Sequence, residues 1–265
     1  MTAPWATPAK GRRADAPTTP LLDDDVTALV RDARRVVVIT GAGISAPSGL
    51  ATYREGGSAW TAADIEQMSH AKRYGNHLAP LWERLWGPLV NAVAAAQPNP
   101  AHHALTAWQT QLRATGGELR VVTQNVDGLH QRAHTSGVTE IHGTTTTVRC
   151  LRCMKTSPTP HYAGAGVPPC PQCGAVRTRP NVVLFGERLS APAVRATEQA
   201  VASADLFLAI GTSGVVHPVA GWLALATRSG VATVAFNTTA RAGFAHIVLG
   251  DCAATLPTLL DAAGT

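Results

Sequence analysis

The chain has 265 residues, 45% of them hydrophobic and 15% charged, with a formal net charge of +5. That length suits one large domain, or a large and a small one, and no apolar run approaches the roughly 20 residues that span a bilayer. The positive charge is diffuse apart from Lys10, Arg12 and Arg13. This suits acidic cofactors or partners and gives no footprint for specific nucleic-acid binding.

Residues 1–20 are rich in Pro, Ala and Thr, contain no apolar core of a secretory signal, and read as a disordered tail. Residues 21–33 carry Asp23 to Asp25 early and Arg31 and Arg34 at the end, the polarity a helix dipole favours. The run Val36-Val37-Val38-Ile39 reads as a strand buried on both faces, as in a parallel sheet. Gly41, Ala42, Gly43 and Ala46 follow it in the Gly-x-Gly-x-x-Gly/Ala pattern. Gly41 would permit a tight turn and Gly43 a close approach of backbone to phosphate. The expected carboxylate about 20 residues on is not clearly present, since Asp64 sits in a helix-like stretch. With Pro47 and Gly49 in the way, the first crossover reads as an extended loop over a cofactor.

Residues 62–96 turn helical, with Leu78, Leu81, Trp82, Leu85, Trp86, Leu89 and Val93 forming an apolar stripe. Gly87-Pro88 is expected to kink or split it. Asn99-Pro100 reads as an N-cap and first helical residue, opening a helix through Arg113. Residues 119–123, 182–185, 206–210 and 231–236 read as further strands of the same sheet, each ending in polar or glycine-containing sequence. Ligands of open parallel sheets bind beyond such ends. The expected fold is therefore α/β, a Rossmann-like parallel sheet domain with a smaller zinc-ribbon plus helical domain.

Cys150-x-x-Cys153 and Cys170-x-x-Cys173, sixteen residues apart, fit a four-thiolate zinc template. Four thiolates leave no open coordination position, so the expected ion is structural. The Pro- and Gly-rich segment between the pairs has too little apolar sequence for a core of its own. Cys252 reads as a single, partly buried thiol. Metal rather than disulfide usage of the cysteines points to the cytoplasm. Between the first strand and the zinc pairs, Asn125, Asp127 and His142 are the candidates for chemistry. A histidine near its ordinary pKa takes a proton from a hydroxyl at neutral pH.

The motifs GAGISAPSGLATYR, PNPAH, TQNVDGLH, IHG, the paired cysteines, RPNVVLFGE and GTSGVVHPVAGW occur in this order. Together they resemble the sirtuins over about residues 21–260, and the bacterial NAD-dependent protein lysine deacylases in particular. The resemblance implies that Gly41, Ala42 and Gly43 form a phosphate-binding turn, with Tyr53 and Arg54 on a cofactor loop. It implies further that Gln124, Asn125 and Asp127 surround the nicotinamide and its ribose. Gly211, Thr212 and Ser213 would make a second phosphate and ribose contact, and Asn237 and Cys252 would lie at the adenosine end. His142 would be the base and Asn125 would share the catalytic centre. The acyl group would pass from lysine to ADP-ribose, with His142 taking a proton from a ribose hydroxyl.

An acyl-lysine protein or peptide would enter as an extended strand between residues 186–189 and 214–216, against Val183, Phe185, Gly186, Glu187, Gly214 and Val215. Val183 would offer its carbonyl to the substrate nitrogen. The domains implied are residues 21–145 and 178–265 for NAD, and 146–177 for zinc, packed with a helical insertion at 55–97.

Three departures from the family pattern stand out, two of which carry expectations. Tyr53 stands where phenylalanine is usual, which would alter the balance with NAD hydrolysis, and His217 replaces the commoner tyrosine. The Tyr-x-x-Arg pair of family members that prefer succinyl or malonyl groups is absent from LAPLWERLWGPL, which favours acetyl or another uncharged acyl group. Two other functions fit parts of the sequence: protein ADP-ribosyl transfer or NAD hydrolysis, and a non-catalytic NAD-binding interaction module.

Overall fold

A computed structural model describes residues 23–51, 66–212, 217–240 and 242–265. Helix α1 (Asp24–Asp32) starts where the Asp23 carboxylate accepts the Asp25 N–H, and its Val26 and Val30 face inward. Strand β1 (Arg35–Thr40) runs directly into the four-residue helix α2 (Ala42–Ser45). Further on, α3 (Leu78–Leu81), a wide π turn (Trp82–Trp86) and α4 (Gly87–Ala95) form one continuous helical stretch. Gly87-Pro88 does not split it. The Gly87 N–H reaches back five residues to the Trp82 carbonyl, and this widened turn absorbs the hydrogen bond that proline lacks. Asn99 caps α5 (Pro100–Ala114) with proline in the first turn, as its sequence requires.

Strand β2 (Glu118–Thr123), the short α6 (Leu129–Arg132) and the two-residue β3 (Thr139–Glu140) follow. Strands β4 (Gly143–Cys150), β5 (Thr156–Pro158) and β6 (Thr178–Val182) come next. The chain ends with α7 (Ala191–Ala202), β7 (Leu206–Ile210), α8 (Val219–Arg228), β8 (Ala232–Asn237), β9 (His246–Leu249) and α9 (Cys252–Ala263).

Six strands make a parallel sheet in the order β3-β2-β1-β7-β8-β9. Val36 and Val38 of β1 pack with α1, α5 and α9 on one face. Val37 and Ile39 pack with α7 and α8 on the other. That two-sided burial accounts for the unbroken apolar run. From β1 the chain builds outward through β2 and β3, then returns to build through β7, β8 and β9. The direction of winding thus reverses between β1 and β7, the place where sheets of this kind bind ligands.

Residues 182–185 do not extend this sheet, contrary to the sequence expectation. The strand there ends at Val182 and belongs to a separate antiparallel sheet, β5-β4-β6. Its register places Thr178 beside Cys150, so the cysteine pairs dictate its partner, a constraint invisible in an apolar run. The apolar stripe of the helical stretch, Leu78, Leu81, Trp82, Leu85 and Trp86, packs on Val148, Tyr162 and Leu184 of this second unit.

Candidate active site

The turns after β1 and β7 touch backbone to backbone. Gly43 N–H donates to the Gly211 carbonyl at 2.9 Å, and Gly41 N–H to that of Ile210 at 3.0 Å. Gly211 has φ 62°, and a Cβ on it would stand 2.3 Å from Ile44 N and 2.5 Å from the Gly43 carbonyl carbon. The close approach that these glycines permit is between two turns of the chain itself. Below them the buried Cys252 thiol, at the start of α9, donates to the Gly43 carbonyl at 3.6 Å. Burial, and secondarily Asp251, pushes that thiol up to about 12, so it remains a protonated donor.

Three side-chain amides ring the switch point. Gln124 Nε2 donates to Thr212 Oγ1 (3.0 Å) and the Thr40 carbonyl (3.3 Å). Asn125 Nδ2 donates to the Gly41 carbonyl (3.1 Å) and Ser45 Oγ (3.0 Å). Asn237 Nδ2 donates to the Thr212 carbonyl at 2.8 Å. All three spend their N–H groups on the scaffold. Among the described residues, nothing donates to their carbonyl oxygens. Asp127 is buried beneath them, accepting from Ser45 Oγ at 2.7 Å and Leu129 N–H at 2.9 Å. Burial raises its pKa, and those two donors oppose the rise.

His142 lies between β3 and β4 and is half-buried. Its Nδ1 stands 2.9 Å from the Gln124 carbonyl oxygen. Since a carbonyl only accepts, Nδ1 carries the proton and Nε2 keeps its lone pair. Burial lowers the ring's pKa and the Gln124 bond partly opposes this, so the imidazole is neutral at pH 7. The His142 carbonyl accepts Val183 N–H at 2.8 Å. That bond joins the base to the turn carrying Val183, Phe185, Gly186 and Glu187. Tyr53, Arg54, Ser213, Gly214 and Val215 lie outside the described residues, as do residues 1–20.

The four paired cysteines converge, their sulfurs all within 4.8 Å of one another. Cys150 to Cys173 and Cys153 to Cys170 are each 3.7 Å apart. A tetrahedron with Zn–S bonds of about 2.3 Å has edges of about 3.8 Å, so the donor set fits zinc in both chemistry and spacing.

Residues 41–218 match the model of the Sir2 family. The chain belongs to the Sir2 family. It is 40% identical to an NAD-dependent protein deacylase of Thermus thermophilus over 208 residues, covering 78% of this chain and 81% of that one. Identity to NAD-dependent protein deacylase 1 of Pseudomonas aeruginosa is 37% over 248 residues, 89% and 96% of the two chains. The fold superposes with a TM-score of 0.81 on a Sir2 homologue in complex with NAD, at 28% identity, covering 92% of this chain and 94% of that one. With Sir2Af2 bound to a myristoylated histone peptide the TM-score is 0.71 at 26% identity, with coverage of 90% and 94%.

Beneath the Sir2 site lies a polar network that sequence reasoning passed over. Thr40 Oγ1 bonds Thr123 Oγ1 at 2.8 Å and stands 2.9 Å from His130 Nε2. The rings of His130 and His102 meet edge to face with centroids 4.8 Å apart. Thr123 and His130 lie in the TQNVDGLH motif and His102 in PNPAH, but nothing local shows that they gather around Thr40, which is 83 residues from Thr123 and 90 from His130.

Both histidines are fully buried. Burial, then the charges of His130 and His103, holds His102 down at about 3, and burial alone holds His130 at about 4. In the unfolded chain both titrate near 6.5. Below that pH the unfolded state binds protons that the native state refuses, so stability falls as pH falls from 6.5 toward 4. The pair is expected to lower unfolding free energy by up to about 2.7 kcal/mol per pH unit in that window. Urea midpoints read between pH 7 and 5 check this, and His130→Gln should flatten the slope; an identical slope in the variant would remove the assignment.

Proposed function

We propose that this chain is an NAD-dependent protein lysine deacylase that releases nicotinamide, O-acyl-ADP-ribose and free lysine, with acetyl or another uncharged acyl group as its substrate. The observation that carries the reading is the His142 ring, with Nδ1 fixed to the strand-end carbonyl of Gln124 and Nε2 left as a proton acceptor. The switch-point crevice fits a dinucleotide. Its amides bond the scaffold through their N–H groups, which leaves their carbonyl oxygens as acceptors for ribose hydroxyls, and Gly41, Ala42, Gly43, Gly211 and Thr212 bring two backbone turns together at the sheet's ligand end. When bound, NAD supplies an electrophilic ribose carbon to receive the acyl oxygen.

In this assignment Gln124, Asn125 and Asp127 hold the nicotinamide end, with Asn125 at the catalytic centre beside His142, and Asn237 holds the adenosine end. The Cys252 side chain fixes the Gly43 carbonyl, so any contact of that residue with adenosine falls to its backbone. Tyr53, Arg54 and Ser213 are assigned to the cofactor, and Gly214 and Val215 to the peptide, by motif alone. His142 Nε2 takes the proton of a ribose hydroxyl, and Val183, Phe185, Gly186 and Glu187 receive the peptide as a strand. Cys150, Cys153, Cys170 and Cys173 hold structural zinc. Residues 146–177 with the insertion 55–97 are assigned to one module, and 21–145 with 178–265 to the NAD-binding one. A thiolate zinc set accords with a reducing, cytoplasmic setting, and among the described residues no helix is long and apolar enough to cross a membrane.

The acyl preference follows from the helical stretch. Leu81, Trp82, Leu85 and Trp86 are buried there, whereas Arg84 lies on the exposed side, so among the described residues of this stretch no cation is buried to pair a carboxylate. Incubation with NAD and peptides carrying acetyl-, propionyl- or succinyl-lysine tests both statements. Acetyl- and propionyl-lysine should be released, with succinyl-lysine at least about tenfold slower, since losing one charge-assisted hydrogen bond costs roughly 1.5–3 kcal/mol. Nicotinamide release independent of any acyl peptide would point to NAD hydrolysis instead.

A further inference from the structure

After β6 ends at Val182, residues 183–187 form a turn outside the sheet, with one bridge from Phe185 to His70, and nearly every polar group of this turn is engaged. Arg179 is buried, its side chain only 5% exposed, and pairs with Glu187 at 2.8 Å. The guanidinium does more than pair. Nη1 donates to the Val182 carbonyl at 2.8 Å, while Nη2 donates to both Glu187 carboxylate oxygens, at 2.8 and 3.2 Å. Glu187 Oε2 also accepts the Leu184 N–H at 2.9 Å, and the Glu187 N–H returns to the Leu184 carbonyl at 2.9 Å. Two more contacts come from the segment before the helical stretch. Ala71 N–H donates to the Phe185 carbonyl at 2.8 Å, and the Tyr74 ring lies 5.2 Å from the guanidinium carbon. Gly186, at φ 82°, leaves the room that the His70 ring occupies; a Cβ there would stand 2.8 Å from it.

Few groups of the turn stay open. The carbonyls of Val182, Leu184 and Phe185 are taken, as are the N–H groups of Val183, Leu184 and Glu187. Among the described residues nothing donates to the carbonyl of Val183, the residue whose own N–H ties this turn to His142. We propose that Arg179 and Glu187 are positioning residues for the acyl-lysine peptide. Their ion pair, buried on the Arg179 side, consumes the competing backbone groups and fixes the Val183 carbonyl as the acceptor presented to the substrate, while Tyr74 holds the guanidinium in plane. This inference rests on the deacylase reading. It assigns the carboxylate of Glu187 to the scaffold and leaves only its backbone for the peptide. A charge-assisted pair suits the task because the planar guanidinium, with Nη2 on Glu187 and Nη1 on the Val182 carbonyl, fixes direction as well as distance.

The test uses the zinc-loaded full chain and a fluorescent acetyl-lysine peptide, read by anisotropy, with NAD affinity measured separately by calorimetry. Glu187→Gln keeps an acceptor for Leu184 N–H but removes the charge, and Glu187→Ala removes both. Peptide Kd is expected to rise about tenfold in the first variant and further in the second, because loss of orientation at a recognition strand is costly. NAD affinity should stay within twofold of the wild type. If Glu187→Ala does not fold, Glu187→Gln decides alone. Wild-type peptide affinity in a folded Glu187→Gln protein overturns the clamp. So does a parallel loss of NAD affinity, which would mark general loosening. A wild-type protein that binds no acyl-lysine peptide overturns the deacylase reading and the clamp with it.

Discussion

Replacing His142 by alanine is expected to lower deacylation at saturating NAD and acetyl-lysine peptide by about 10²–10⁴-fold, the usual contribution of a positioned general base. The ring's surroundings make the loss specific. Its Nδ1 bond ends on a backbone carbonyl, so truncation leaves no buried charge behind, and the melting temperature should change little. Gln124 keeps its own bonds to Thr40 and Thr212, so NAD affinity should hold within a few fold. Wild-type kcat/KM should show an acid limb below the ordinary imidazole value of about 6.5, because burial lowers the pKa of this ring and the neutral base persists into mildly acidic solution. That limb should vanish from the residual activity of the variant. A variant with more than a tenth of wild-type turnover, or an acid limb shared by both proteins, would take the base role away from His142.

What the sequence disclosed about this fold was local, and what it concealed was pairing. The Val36-to-Ile39 run, the Asn99-Pro100 cap and the two Cys-x-x-Cys pairs each state their structure within a few residues. Their places in β1, α5 and the thiol cluster follow from that. The run at 182–185 is equally apolar, but its neighbour is set by a thiol cluster that brings Cys150 beside Thr178, so periodicity assigns it to the wrong sheet. β3 has two residues and β9 four, both at the sheet's edges, too short to carry an alternation. At the site, Gln124, Asn125, Asp127 and His142 are marked by their position just after strands. Thr40 ends an apolar run, and His102, His130 and Arg179 stand at the edges of motifs that say nothing of their partners, so only folding shows what they touch. The same limit applies to Gly43, whose close approach to Gly211 no local pattern reveals.

Stripping the metal is expected to cost more than any single substitution outside the site. Apparent zinc affinities of four-ligand sites correspond to about 10–16 kcal/mol, and in a segment with little core of its own that energy is folding energy. The thiol cluster closes the end of the small sheet, where Cys150 pairs with Thr178 and the Leu151 N–H meets the Arg177 carbonyl. The far end of the same two strands carries Gly143, beside the base, and Val182, beside the peptide turn. Disorder introduced at the cysteines therefore travels about 20 Å along β4 to the active site, given roughly 3.3 Å per strand residue. The large sheet has its own two-sided core and should survive. After chelation, hydrogen exchange should rise across β4, β5 and β6 while β1, β7 and β8 stay protected, and deacylation should fall at least tenfold with NAD binding largely kept. Cys170→Ser should reproduce this pattern without a chelator, because Cys170 is a buried member of the cluster. Unchanged exchange and turnover in protein shown to be metal-free would mean that the small sheet is held by its packing on Trp82 and Tyr162, and that the ion is dispensable.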